Sequence, residues 1–287
     1  YMRAKQWTQA REELARAGGG RQRDLTALLL SAWTIAGAGD VRRAVESIDR
    51  LNDERFDFFR QFHIGLMLEM SGQAAEAGKR FKAAYDIDNT SLRIVDAYAR
   101  SLARRGEREE ARKVYLDFDR LLPRHPTVRD ALQRLDRGET LEPIVRSAAS
   151  GAAEVLFGLG LIGSQQNDTL VAMVYLRLAL YLAPDHATAA ITLGDSYERV
   201  KQYERALDAY DLIPETSPLY GLAEAQTGLV LEAMGKAEEA TKHLEGIVAR
   251  RPKDIDALSA LGNVQRSRKL YKESAETFTR VIDLVPE

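Results

Sequence analysis

The sequence predicts an all-α fold in which helix pairs stack as a solenoid, and three observations carry that prediction. Gly160, Gly194, Gly228 and Gly262 stand 34 residues apart, each preceded by Leu or Thr. The same spacing relates Ala172, Ala206, Ala240 and Ser274, then Leu176, Tyr210, Leu244 and Phe278, then Pro184, Pro218, Pro252 and Pro286. When units are laid out on this period, Gly39, Gly72, Gly106, Asn167 and Gly235 all fall at the fifteenth position, where a first helix must stop. Self-similarity at a fixed period of this length marks a helical repeat array.

Each unit calls for two helices. In the first, the small residue at position 8 lets a neighbouring helix approach closely, and the apolar residues around it recur at three and four. In the second, a small residue at position 20 and a bulky one at position 24 lie one turn apart and interlock with the first helix. Gly and Asn at position 15 tolerate the left-handed conformation of a helix C-cap. Lys201 and Lys269 occupy that place in two units, so differently built turns are expected there. Proline at position 32 ends the second helix.

Taken in order, residues 1–17 read as one amphipathic helix with Trp7, Ala10, Leu14 and Ala17 on a stripe, stopped by Gly18, Gly19 and Gly20. Trp7 and Ala10 match positions 17 and 20, so 1–24 is expected to be a half-repeat whose first helix lies further upstream. Repeats 25–57, 58–91 and 92–125 follow and complete an N-terminal block, 1–125. The period breaks over 126–152: a short helix, Val128 to Arg137, leads to Gly138 and a loop holding Leu141, Pro143, Ile144 and Val145. Two readings of this segment stand, a connector that keeps the solenoid continuous or a segment that folds into the groove and occupies it like a ligand. The C-terminal block, 153–287, holds repeats 153–186, 187–220, 221–254 and 255–287. Its last outer face is uncovered, and solenoids need a polar cap there, so either more chain or end-to-end self-association is expected.

A small residue at 8, Ala at 20, an aromatic or Leu at 24 and Pro at 32 resemble the tetratricopeptide repeat (TPR) family. The resemblance implies a right-handed α-solenoid of about seven repeats plus the leading half-repeat, with a concave face that binds protein segments. It also implies that first-helix positions 2, 5, 9, 12 and 13 line the groove. On this chain they include Phe59, Phe62, Leu66, Glu69 and Met70, then Arg93, Asp96, Arg100 and Arg104, then Glu154, Phe157 and Leu161, with Asp195, Glu198, Asn263 and Arg266 further on. Phe59, Phe62, Leu66, Met70, Arg93, Arg100, Arg104, Phe157 and Leu161 are the expected partner-binding set. An upstream groove both apolar and basic suits an amphipathic helix or extended peptide with an acidic group, with Arg100 and Arg104 as bidentate carboxylate donors. The competing reading is packing against a neighbouring helix for the two Phe and a solvated or internally paired surface for the arginines. The Lys and Asn pair by which chaperone-binding members read a C-terminal carboxylate is matched in no unit, so that function is not carried over.

Other chemistry finds little purchase. The 287 residues are 45% hydrophobic, carry a net charge of −2 and include no cysteine, which removes disulfides, thiolate catalysis and Cys zinc sites. Residues 1–150 hold 27 basic and 23 acidic side chains, and 151–287 hold 14 and 20. That acidity, with no base-reading pattern in the units, argues against the RNA grooves of pentatricopeptide arrays. Gly158, Gly160 and Gly163 spell G-x-G-x-x-G, yet Gly160 is the position 8 glycine inside a helix, not a strand-to-helix phosphate loop; a softened helix next to the 126–152 segment, acting as a flexible joint, is the minor alternative reading of the three glycines. His63, His125, His186 and His243 are dispersed, so no metal or cofactor is expected. No apolar run of 18 residues is present to insert in a membrane. The function expected is a non-catalytic interaction scaffold for a protein or peptide segment. The alternatives are the repeat module of a larger enzyme or envelope secretion protein, or a self-stacking structural oligomer. The bacterial envelope is the favoured compartment, with the cytoplasm as alternative.

Overall fold

The computed structural model describes residues 1–17, 25–50 and 56–284. The Gly18–Gly20 stop and Pro286 lie outside the described residues. A short 3-10 turn, Met2–Ala4, precedes sixteen α-helices, and no strand occurs among the described residues. The chain is an all-α helical repeat solenoid. α1 is Trp7–Ala17; the pairs that follow are α2 (Leu25–Gly37) with α3 (Val41–Asp49), α4 (Asp57–Met70) with α5 (Ala74–Ile87), and α6 (Leu92–Arg104) with α7 (Arg108–Leu121). α8 (Pro126–Asp136) stands alone before the pairs resume: α9 (Ala148–Gln165) with α10 (Thr169–Leu182), α11 (Ala187–Arg199) with α12 (Tyr203–Tyr210), α13 (Tyr220–Ala233) with α14 (Ala237–Arg250), and α15 (Ile255–Ser267) with α16 (Tyr271–Leu284).

The interlock inferred from columns 8 and 24 is the packing unit. A Cβ added to Gly65 would lie 2.6 Å from the Phe81 ring, to Gly194 2.2 Å from Tyr210, and to Gly228 2.5 Å from Leu244. No side chain fits there, so the second helix sets its bulky residue directly on first-helix backbone. Phe81, Leu176, Tyr210 and Leu244 are buried as a result, each burial worth about 1.5–3 kcal/mol. In the last pair the Ser274 hydroxyl, at column 20, also donates to the Gly262 carbonyl at 2.9 Å.

The turn column corrects one expectation. Lys201 and Lys269 adopt φ of 58° and 62°, beside 60° at Asn167 and 78° to 98° at the glycines of this column. The turns are built alike, and the packing of the flanking helices holds a lysine in the left-handed region at a cost of about 1–2 kcal/mol. Lys201→Gly is therefore expected to raise the stability of its unit by about 1 kcal/mol, read as the midpoint of urea unfolding; an unchanged or lower midpoint would remove strain from the account.

Other boundaries moved. The helix expected over 1–17 is interrupted at Lys5, φ 56°, before α1 begins. α8 starts at Pro126, which lacks the donor a first helical turn would leave unused, with the His125 ring accepting from the Thr127 amide. α12 ends at Tyr210, well before Pro218, so Pro184 and Pro252 follow helix ends but Pro218 instead precedes α13. α9 begins at Ala148, inside the segment read as aperiodic.

The chain forms two compact units, Tyr1–Gly158 with Tyr181–Ala183, and Leu159–Leu180 with Pro184–Glu287. The division falls inside α9. In the first unit the helices from α1 to α8 each pack on the next, and the Arg3 guanidinium lies 5.1 Å over the Tyr181 ring. In the second, α11 to α16 do the same, with α13 also against α15.

Candidate functional site

The face of the first unit built by first helices α2, α4 and α6 is covered by the chain's own residues 139–158. A Cβ on Gly151 would meet the Trp33 ring of α2 at 2.2 Å, and one on Gly158 the Phe59 ring of α4 at 2.7 Å. Between them Glu154, buried, receives the Arg93 guanidinium of α6, with Nε at 3.1 Å from one carboxylate oxygen and a second nitrogen on the other. Trp33 and Arg100 stand at position 9 of their units and Phe59 and Arg93 at position 2, so the segment sits on the columns that the family resemblance makes groove-lining. The extended stretch before α9 follows the same face, with Leu141 and Val145 buried and the Glu142 carbonyl accepting from Arg100 at 3.0 Å.

Burial records the cover. Gly151–Phe157, Phe62–Glu69 on α4 and Ile94–Ala99 on α6 are each buried at every residue in succession, so these helices have neighbours on every side. In the second unit most of the matching positions stay half-exposed, Ile191 and Asp195 on α11, Leu229 on α13, Ser259 and Asn263 on α15, while Ala225 on α13 is buried.

The floor of the covered groove is polar and internally paired. The Trp33 indole donates to His63 Nδ1 at 3.2 Å, placing the ring hydrogen on Nε2, which has no partner among the described residues. Burial pushes the His63 pKa down to about 3, against the raising effect of Glu154. Asp96, buried, accepts from Arg100 at 2.8 Å and from the Tyr115 hydroxyl at 2.6 Å. Burial drives the Tyr115 pKa well up, with Asp96 adding to it. For Arg100, burial works against the charge but Asp96 outweighs it, and its pKa is raised. Glu69 pairs with Arg104 at 3.0 Å, and burial nevertheless raises its pKa.

Of the residues singled out from the sequence, Phe62, Leu66 and Phe157 are buried, Phe59 and Met70 are half-buried, and Arg93, Arg100 and Arg104 each hold a carboxylate of the same unit. Eight of the nine lie in the first unit. Leu161, half-buried, belongs to the second. Trp33, His63 and Gly151 were missed. Column 9 pointed to Trp33, whereas a lone histidine and a glycine outside the period carried no signal.

In the second unit the Tyr210 hydroxyl reaches both Asp195, at 2.8 Å, and Glu198. Burial raises the pKa of both carboxylates. Among the described residues no group of three or more His, Asp or Glu could hold a metal ion, and no helix is long and apolar enough to cross a membrane.

Residues 153–186 and 225–287 match two family models, each described as tetratricopeptide repeat. No curated protein matches. Similar solved structures include MamA, residues 41 to the end, from Desulfovibrio magneticus RS-1 (21% identity, 69% of this chain and 95% of that one, TM-score 0.39); YrrB, described as a TPR protein with an unusual peptide-binding site (19%, 72% and 93%, 0.39); and a tetratricopeptide repeat protein from Parabacteroides merdae (14%, 97% and 94%, 0.39). At these TM-scores the likenesses say nothing about a shared site.

Proposed function

We propose that this chain, a tetratricopeptide-repeat protein, is a non-catalytic scaffold that holds a helix of a partner protein in the groove of α2, α4 and α6. Repeats of this family are protein-interaction modules, which supports the scaffold role in general. The observation behind the finer statement is the seating of α9 across Trp33, Phe59 and Arg93: these columns accept a helix and pair its carboxylate. Phe59, Met70, Arg93, Arg100 and Arg104 then face the partner, while Phe62 and Leu66 support them from beneath; Phe157 belongs to α9, the segment seated on this face. A second reading uses the half-exposed positions Ile191, Asp195, Leu229, Ser259 and Asn263 of the other unit as the docking face.

Photo-crosslinking separates the two. A photoreactive residue replacing Met70 is expected to capture a helical segment of one partner, mapped by mass spectrometry, while the same residue at the exposed Lys82 of α5 captures nothing specific. Capture from Asn263 alone would transfer the function to the second unit, and equal capture from Lys82 would sink both grooves.

A further inference from the structure

We infer that residues 139–158 are a displaceable internal ligand of the upstream groove, and that the external partner is an α-helix with two small residues seven positions apart and a carboxylate three positions after the first. This rests on the groove reading above and adds to it a partner class and a regulation.

The seated segment specifies the pattern. Gly151 must be small because Trp33 stands where a side chain would begin, Gly158 because Phe59 does, and Glu154 supplies the anion for Arg93. Positions i, i+3 and i+7 fall on one helical stripe, so the three requirements are met by one face of any helix carrying them. The groove thus selects for shape at two points and charge at one.

Three features make the internal occupant removable. Gly151, Gly158, Gly160 and Gly163 all lie within α9, and each glycine weakens a helix relative to alanine, so this helix depends on its surroundings to persist. The stretch from Gly138 to Ser147 has no helical ladder of its own and is tied down by Arg108, Arg134 and Arg100 donating to the carbonyls of Gly138, Thr140 and Glu142. Gly138 itself, at φ 75°, offers a pivot next to α8. Beneath the segment, the His63 Nε2 hydrogen is buried without an acceptor among the described residues, so the internal helix leaves the floor incompletely satisfied. A partner that brings an oxygen to that point gains over it.

The probe is a fluorescein-labelled synthetic peptide of residues 139–160 of this chain, titrated by anisotropy into the full chain. In a Gly151→Leu, Gly158→Leu variant the new side chains collide with Trp33 and Phe59, which ejects the segment and leaves the groove residues intact. The peptide is expected to bind this variant at least tenfold more tightly than wild type, and to lose that gain when Arg93→Glu is added or when the peptide carries Glu154→Lys. Equal binding to wild type and variant, abolished by Arg93→Glu, would overturn displacement while leaving the groove reading standing. No binding to a variant whose circular dichroism shows intact helices would overturn both. Should the variant not fold, hydrogen exchange on wild type decides: faster exchange over 148–158 than over α4 and α6 supports a removable occupant, and equal protection overturns it.

Discussion

Arg93→Met lowers the stability of the N-terminal unit by about 3–5 kcal/mol, because it strands the Glu154 carboxylate in the covered groove without its guanidinium. Glu154 is 3% exposed and Arg93 reaches it with two nitrogens. Removing one partner of a buried pair costs this much since the remaining charge keeps its desolvation penalty and loses the charge-assisted bonds of that guanidinium. Replacing both, as Arg93→Met with Glu154→Leu, is expected to recover most of the loss, because an apolar pair carries no such penalty. Urea unfolding followed by tryptophan emission reads the effect, as Trp7 and Trp33 both belong to this unit. A single variant that loses under about 1 kcal/mol would mean that the pair is solvated in solution and the groove stands open.

Acidification below about pH 6.5 removes stability from the same unit through His63, by up to about 4–5 kcal/mol near pH 3. The ring is fully buried and its pKa is pushed down to about 3 by burial, with Glu154 opposing the shift. The unfolded chain takes up a proton at about 6.5 while the folded ring stays neutral, so the contribution is complete above 6.5 and lost progressively as pH falls toward 3. Protonation would also deprive the Trp33 indole of its acceptor at Nδ1. Glu69, whose pKa burial raises, acts in the opposite sense and gains stability for the fold as pH falls. The test is therefore comparative: between pH 7.5 and 4.5, wild type is expected to lose about 2–3 kcal/mol more than His63→Gln. Parallel losses in the two proteins would show that His63 is not the group responsible.

How much was legible can be judged residue by residue. Gly194 and Tyr210 were readable as partners, because a repeated fold repeats its contacts and so prints each contact as a column. The arginines of the groove were readable as cations on a groove-lining face, and both a carboxylate-binding and an internally paired role were open for them. For Arg100 the i,i+4 spacing to Asp96 on one helix favoured internal pairing; for Arg93 and Arg104 the choice depended on where Glu154 and Glu69 lie on other helices, as far as 61 residues away, and the sequence holds no trace of that. Lys201 and Lys269 show the opposite limit: local preference argued against a left-handed turn there, and the packing of two flanking helices overrode it.

The segment that breaks the period is where sequence reasoning stopped. It identified 126–152 as aperiodic and left two readings, connector or groove occupant, because hydrophobicity alone cannot say which surface Leu141 and Val145 will find. Alone, the sequence determined the helix pairs, their interlocking columns and the resemblance to the tetratricopeptide repeat, since these rest on short-range periodicity and on contacts repeated at a fixed interval. Only the tertiary structure decided that 139–158 lies across α2, α4 and α6, because that contact occurs once, joins residues far apart in the chain, and depends on Trp33, Phe59 and Arg93 converging from three different helices.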